Sequence, residues 1–439
     1  MRTAYTNGKF ITVNGQNQVI EDGVMVVEDG KIHSIGEKSN VVIQNVDHTV
    51  DLCGKWVLPG LINAHAHTHM TILRGIGDDM QLKEWLETRV WPAEGRYTTE
   101  TSKWSTALGI VEMLKSGTTM FSDMFNPMNI DADEIASFIG ETGIRSVFSR
   151  TLFSFGSEEE QRESVKQSER FAEKWKSAAN GRLSTMVAPH APYTCTTRML
   201  EEAIRIADDH SLPVHIHASE STQEVQKSID DYGKRPVAYL QQIGMFNQPT
   251  VIAHGVHLNQ EDLGILAENN VAIAHNPVSN LKLGSGIANV PEILKRSIQV
   301  GIGTDSVASN NNLDMFQELR FAALLQKGVH EDARLMSAET VLRLATIEGA
   351  HVIRQPQLGS LEPGKEADFI TINPKDKSHL QPEDYAVSHI VYSASGQDVS
   401  DVYVQGKALV LNGTCQTIDE EKVLFEAKRL FKQLSESVQ

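Results

Sequence analysis

Two histidines one residue apart, His65 and His67, close a short apolar run, VLPGLINAH. Side chains at i and i+2 of a strand point the same way, so both imidazoles can reach one ion. Alone, the pair is equally well explained as two satisfied core histidines. Three further run ends change that balance: His215-Ile-His217-Ala-Ser-Glu220, Ala253-His254-Gly255 and Thr304-Asp305-Ser306. Imidazole nitrogens and one carboxylate form a donor set suited to Zn2+ or Fe2+, and buried ionisable groups seldom stand unpaired by chance. A catalytic ion of this kind keeps a position open for water and brings that water's pKa close to neutrality. Asp305 is expected both to touch the ion and to take the water's proton, with His254 assisting. Glu220 follows His217 closely and is expected beside the ion without ligating it, where a general acid–base group belongs; as a lone residue it would read as a solvated loop glutamate. His69 extends the pattern but is expected beyond the strand, as a bystander.

These residues need a scaffold that brings distant run ends together. Eight short apolar or β-branched runs alternate with longer amphipathic stretches: VLPGLINAH, TTMFSDM, IRSVFSRTL, LSTMVAPH, LPVHIHASE, TVIAHG, VAIAHNP and VGIGTDS. That rhythm implies βα units and a parallel sheet. In a (β/α)8 TIM-like barrel the strand C-termini carry the catalytic groups, and each of these runs carries a polar residue at or near its end. TETSKWSTALGIVEMLKSG reads as a helix closing on Gly117. The two ends of the chain differ in texture. Short alternating runs with Asn-Gly and Asp-Gly steps, which signal hairpins, fill the first segment, and a similar pattern returns near the end. The expected organisation is therefore an α/β chain: residues 1–57 and 358–415 pair into a small discontinuous β-sandwich, residues 58–357 form the barrel, and residues 416–439 form an amphipathic helix.

Composition narrows the partners more than the chemistry. Among 439 residues, 40 Lys+Arg stand against 57 Asp+Glu, a net charge of −17. This disfavours a nucleic-acid backbone or an anionic membrane surface as main partner. Cys53, Cys195 and Cys415 are far apart in sequence and form no disulfide framework or Cys-x-x-Cys knuckle, so a reducing cytoplasm is expected. The N-terminal residues carry no apolar secretion signal, and no apolar run approaches a membrane span.

PGLINAHAH, HIHASE, IAHG, AHNPVSN and GTDSVASNNNLDM resemble the amidohydrolase superfamily in its mononuclear aminohydrolase branch, and GSLEPGKEADFITI resembles that superfamily's split sandwich. The likeness runs over essentially the whole chain. Binuclear members place a carbamylated lysine at the end of strand four, whereas STMVAPHAP has none, which implies a single divalent ion, Zn2+ first, with Fe2+ left open. Within the branch, LRGIGDDM, KEWLETRVWPAE, SRTLFSFG and YGKRPV are most similar to deaminases of 5-methylthioadenosine and S-adenosylhomocysteine. That resemblance implies His65, His67, His217 and Asp305 as metal ligands. It implies Glu94 on the ribose hydroxyls, Arg150 on the carboxylate of an amino-acid tail and His190 on the nucleoside, with Glu220 and Asp305 also touching the base. Two vicinal hydroxyls suit a carboxylate acceptor, and a guanidinium grips a carboxylate at two points. Trp85 and Trp91 are read as packing residues that could also cover a purine. The implied substrate is a small nucleoside losing its adenine amine, and a homo-oligomer is a family-level expectation. Another aminohydrolase acting on guanine, cytosine, adenosine or a triazine stays open, as does a non-catalytic scaffold, although no ligand is missing.

Overall fold

The computed structural model describes residues 1–126 and 130–436. The chain opens with β1 (Arg2–Ile11), β2 (Val19–Glu28), β3 (Lys31–Glu37), β4 (His48–Asp51) and β5 (Trp56–Pro59). Alternating with helices come β6 (Leu61–Ala66), β7 (Thr118–Phe125), β8 (Arg145–Leu152), β9 (Leu183–Ser184), β10 (Ala188–Pro189), β11 (Val214–Ala218), β12 (Thr250–His254), β13 (Ala272–His275) and β14 (Val300–Ile302). Four strands follow: β15 (Phe369–Ile372), β16 (Val399–Val404), β17 (Lys407–Leu411) and β18 (Thr414–Cys415).

Both termini enter one sheet, ordered β18-β17-β16-β15-β5-β1-β2-β3 with β4 on β1. The seam between the two ends of the chain is β5 against β15, antiparallel from Trp56↔Ile372 to Pro59↔Phe369. Of the expected hairpin steps, Asp29-Gly30 makes a two-residue turn, both residues at positive φ, between Glu28 and Lys31. Asp22-Gly23 instead lies inside β2 opposite Gly8, where the β1–β2 ladder shifts register. One face of this sheet buries Tyr5, Phe10, Met25, Val57, Phe369 and Tyr403 in a single cluster.

The middle of the chain forms two parallel sheets, β10-β8-β7-β6 with β9 on β8, and β11-β12-β13-β14. Main-chain contacts join them at both margins. Val187 bridges Val214, and the His217 amide donates to the His190 carbonyl at 2.9 Å; Ala66 bridges Asp305, whose amide donates to the His65 carbonyl at 2.9 Å. One face of these strands packs Ile62, Met120, Val147, Val251 and Ala272 together, while the other meets the helices. Burial on both faces is why the runs read as continuously apolar.

The first expected strand, VLPGLINAH, is in fact two. It breaks at Gly60, where an added Cβ would stand 2.0 Å from Thr119 Oγ1, so the chain passes from the terminal sheet to the parallel one at a point without room for a side chain. Arg145, 2 % exposed at the start of β8, ties the two parts: its Nε donates to Asp368 at 2.6 Å and its Nη2 to Glu366 at 2.6 Å. The helix Thr99–Lys115 is capped by the Thr98 hydroxyl, which accepts from the Thr101 amide, and Gly117 follows at φ 89°. The C-terminal helix, Glu420–Glu436, packs beside it through Lys115–Glu420 at 2.6 Å; residues 437–439 of the expected helix lie outside the described residues. Among the described residues, no helix is long and apolar enough to cross a membrane.

Candidate metal centre and cavity

The C-terminal ends of β6, β11, β12 and β14 bring His65, His67, His217, His254 and Asp305 together. His217 Nε2 lies 3.2 Å from His65 Nε2 and 3.3 Å from His67 Nε2. Asp305 Oδ1 lies 3.4 Å from the former's Nε2 partner His65 and 3.3 Å from His67 Nε2. The other ring nitrogens fix the tautomers. His67 Nδ1 stands 2.7 Å from the Met124 carbonyl and His217 Nδ1 2.7 Å from the His190 carbonyl, so each Nδ1 carries the proton. The facing Nε2 atoms are then lone pair against lone pair, which is repulsive unless a cation lies between them. Four ligands at about 2.0–2.1 Å from an ion stand about 3.3–3.4 Å apart along the edges of a tetrahedron. Four contacts in the cluster, His65–His217, His67–His217, His65–Asp305 and His67–Asp305, have about that length, and the opposed lone pairs also suit a divalent ion. His254, with His65 and Asp305, is also within reach of a shared ion.

A buried layer holds these groups. His65 Nδ1 meets His215 Nε2 at 3.2 Å, and His215 Nδ1 meets Ser122 Oγ at 3.3 Å. Ser279 and Ser309 donate to Asp305 Oδ2 at 2.6 and 2.7 Å, which turns Oδ1 toward the histidines. The His254 Nδ1–H donates to Asn280 Oδ1 at 2.8 Å. Ser219, His254 and Asp305 adopt left-handed backbone, with φ of 56°, 74° and 60°, a strained conformation held by its surroundings. Glu224 provides part of that hold: its carboxylate accepts the Ser219 amide at 2.9 Å and the Glu220 amide at 2.7 Å. Gly303 lets β14 approach β6, since a Cβ there would sit 2.8 Å from the His65 amide nitrogen.

Burial and neighbouring charge set the protonation. Burial pushes the Glu220 carboxyl up to about 7, opposed by His254 at 3.9 Å. Burial pushes the His65 imidazole down to about 4, and burial with the imidazoles of His67 and His65 pushes His190 down to about 3. Burial works to raise Asp305, but the hydrogen-bonding His65 and the other imidazoles hold it well below the usual carboxylate range. Burial works to lower His254, yet the carboxylates of Glu220 and Asp305 bring it above its ordinary value.

One cavity runs from this cluster to the surface. His67, His217, His254, Asp305 and Glu220 line its floor, with Glu94, His190, Trp85 and Trp91 along its sides. A π-helical turn, Leu86–Val90, sits between Leu82–Trp85 and Trp91–Glu94 and presents both tryptophans and Glu94 to the same space. The His190 ring stacks on Phe153, with centroids 4.6 Å apart, and its Nδ1 meets Thr194 Oγ1 at 2.9 Å.

Two sequence expectations change. Arg150 does not line the cavity. Its guanidinium donates to the Ser164 carbonyl and Oγ, each at 3.1 Å, and to Gln167 at 2.7 Å, on the helix Glu158–Trp175. The next residue, Thr151, faces the cavity instead, because successive strand residues alternate sides. His69 lies beyond β6, as expected, yet it is no bystander: it lines the cavity and its Nε2 stands 2.7 Å from Glu94 Oε1. Ser279, Asn280, Ser309 and Glu224 fall in or beside the motifs that drew attention in the sequence, but nothing in their spacing indicates what they hold.

The amidohydrolase family model matches residues 56–409. A 5-methylthioadenosine/S-adenosylhomocysteine deaminase of Bacillus cereus (strain AH820) is 54% identical over 429 residues, covering 98% of each chain. The crystal structure of an adenosine deaminase from Xanthomonas campestris with bound zinc superposes with a TM-score of 0.94 at 32% identity, covering 99% of this chain and 98% of that one. A zinc complex of atrazine chlorohydrolase from Arthrobacter aurescens has a TM-score of 0.89 at 23% identity, covering 98% and 100%, a likeness of fold alone.

Proposed function

The chain belongs to the amidohydrolase family, and on that premise we propose that it hydrolyses the exocyclic amine of 5′-methylthioadenosine and S-adenosylhomocysteine, releasing ammonia and the corresponding inosine product. The observation that carries the reading is one cavity holding both an ion-sized cluster of imidazoles with Asp305 and a buried carboxyl, Glu220, beside it. The 54% identity to a deaminase of these two nucleosides supports the substrate choice. The two parallel sheets, joined at both margins, are read as one closed (β/α)8 barrel, residues 58–357. The terminal sheet is read as its sandwich-like companion from residues 1–57 and 358–415, with residues 416–439 as the closing helix.

In this reading His65, His67, His217 and Asp305 hold one Zn2+ per subunit; the donor types suit Fe2+ as well. When bound, the ion supplies Lewis acidity that makes hydroxide available near neutral pH. Asp305, its Oδ2 pinned by two serines, accepts the water's proton through the oxygen facing the histidines. His254, oriented by Asn280, assists from the other side. Glu220 is neutral for part of its population near pH 7, so it can donate to the adenine ring nitrogen beside the attacked carbon. The proton held by Asp305 then passes to the amine, which departs as ammonia, and Glu220 recovers its proton from the added hydroxyl as the carbon–oxygen double bond forms. Glu94 accepts from the ribose hydroxyls, and His190 contacts the nucleoside. Leu82, Trp85, Leu86, Val90 and Trp91 give the cavity an apolar side suited to a thioether substituent. Three free thiols suit a reducing, cytoplasmic setting, and a homo-oligomer remains the family-level expectation.

Ammonia release measured across 5′-methylthioadenosine, S-adenosylhomocysteine and adenosine, with guanine and cytosine as controls, tests the proposal. Both thio-nucleosides are expected to turn over fastest; faster release from guanine or cytosine overturns the substrate assignment.

A further inference from the structure

Glu94 is an acid 5 % exposed, with no lysine or arginine among the described residues lining its cavity. Two donors engage it: His69 Nε2 stands 2.7 Å from Oε1, and Asn126 Nδ2 donates to Oε2 at 2.9 Å. His69 is 1 % exposed, and Phe125 packs edge-on against its ring with centroids 5.0 Å apart. Its carbonyl accepts from the Ser105 hydroxyl at 2.6 Å, so ring and backbone are both fixed. The second ring nitrogen, Nδ1, is buried and has no hydrogen-bond partner among the described residues. A buried lone pair left unmatched costs less than a buried N–H left unmatched. The proton therefore sits on Nε2, and the bond to Glu94 runs from imidazole to carboxylate.

We propose that His69 is a positioning residue for substrate selection: with Asn126, it clamps one lone pair of each Glu94 oxygen and leaves the other two aimed at a vicinal diol. A carboxylate free to rotate would meet the two ribose hydroxyls in many orientations; one clamped on both oxygens meets them in one. The clamp thus makes the cavity select ribonucleosides over their deoxy counterparts. This inference rests on the reading of Glu94 as the ribose acceptor.

The test compares kcat and KM for 5′-methylthioadenosine with those for its 2′-deoxy and 3′-deoxy analogues, in His69→Asn, His69→Gln and Glu94→Gln. A glutamine amide reaches the position of Nε2, whereas an asparagine amide reaches only that of Nδ1. His69→Asn is expected to lower the ribo-over-deoxy preference in kcat/KM about tenfold, mainly through a higher KM for the ribonucleoside, as loss of one charge-assisted hydrogen bond would. His69→Gln is expected to restore most of the preference, and bound metal is expected to stay at the wild-type level in both. Equal losses on ribo and deoxy substrates in His69→Asn, no advantage of Gln over Asn, or loss of metal would each overturn the inference. If the preference survives Glu94→Gln, the diol reading fails and takes this inference with it. If the preference is lost in Glu94→Gln but kept in His69→Asn, only the role of His69 fails.

Discussion

The two ends of the parallel strands handle buried charge in opposite ways. At the start of β8, Arg145 meets Asp368 and Glu366, and Asp368 also accepts the Gln405 amide at 2.8 Å, so each charge has an opposite or a donor. At the C-terminal ends, three imidazole nitrogens and a carboxylate oxygen meet in four contacts of 3.2–3.4 Å. There Glu220 and Glu224 are buried acids without a salt bridge to Lys or Arg among the described residues, and three non-glycine residues hold left-handed backbone. The first end is internally satisfied and joins the two parts of the chain. The second gathers donors that suit a divalent ion. In the barrel reading proposed above, this is the division between stability at one end and chemistry at the other.

Four experiments would break or sharpen that contrast. Stripping divalent ions with a chelator is expected to abolish turnover and lower the melting temperature, and Zn2+ is expected to restore both; full activity in the stripped protein would end the idea of a metal-dependent site. Glu220→Gln is expected to lower kcat by about a thousandfold while metal content, measured by elemental analysis, stays level. Arg145→Met leaves Asp368 buried and unpaired, so denaturant unfolding is expected to register a loss of about 3–5 kcal/mol with kcat/KM of the folded enzyme unchanged. A change in kinetics there would show that the two ends are not independent. Glu224→Gln keeps one acceptor and loses the other, so the Glu220 turn loosens; about a tenfold fall in kcat is expected, with little change in melting temperature. A Glu224→Gln enzyme with wild-type kcat would mean that the turn holds itself.

Much of the contrast was legible in the chain. The eight runs predict the parallel strands, and the i, i+2 spacing of His65 and His67 predicts a shared direction; in the structure the strand ends at Ala66, and the Nε2 atoms of both histidines lie against His217 Nε2. Asp29-Gly30 predicts its hairpin from local backbone preference alone. Arg150 was not legible. Periodicity separates the two faces of a strand only where one is polar, and β8 is buried throughout, so no pattern distinguishes the side of Arg150 from that of Thr151. His69 failed for a different reason: its partner Glu94 stands 25 residues away on another turn, and no spacing rule joins them.

The sequence by itself therefore determined the donor types, the run ends that carry them and the β-rich texture of both termini, because these follow from residue type and short-range period. Only the tertiary structure decided which face of β8 meets the cavity, which carboxylate oxygen of Asp305 is left free and that His69 grips Glu94. Each of those depends on a neighbour remote in sequence, and an approach of a few ångströms between such groups is fixed by packing rather than by any local preference.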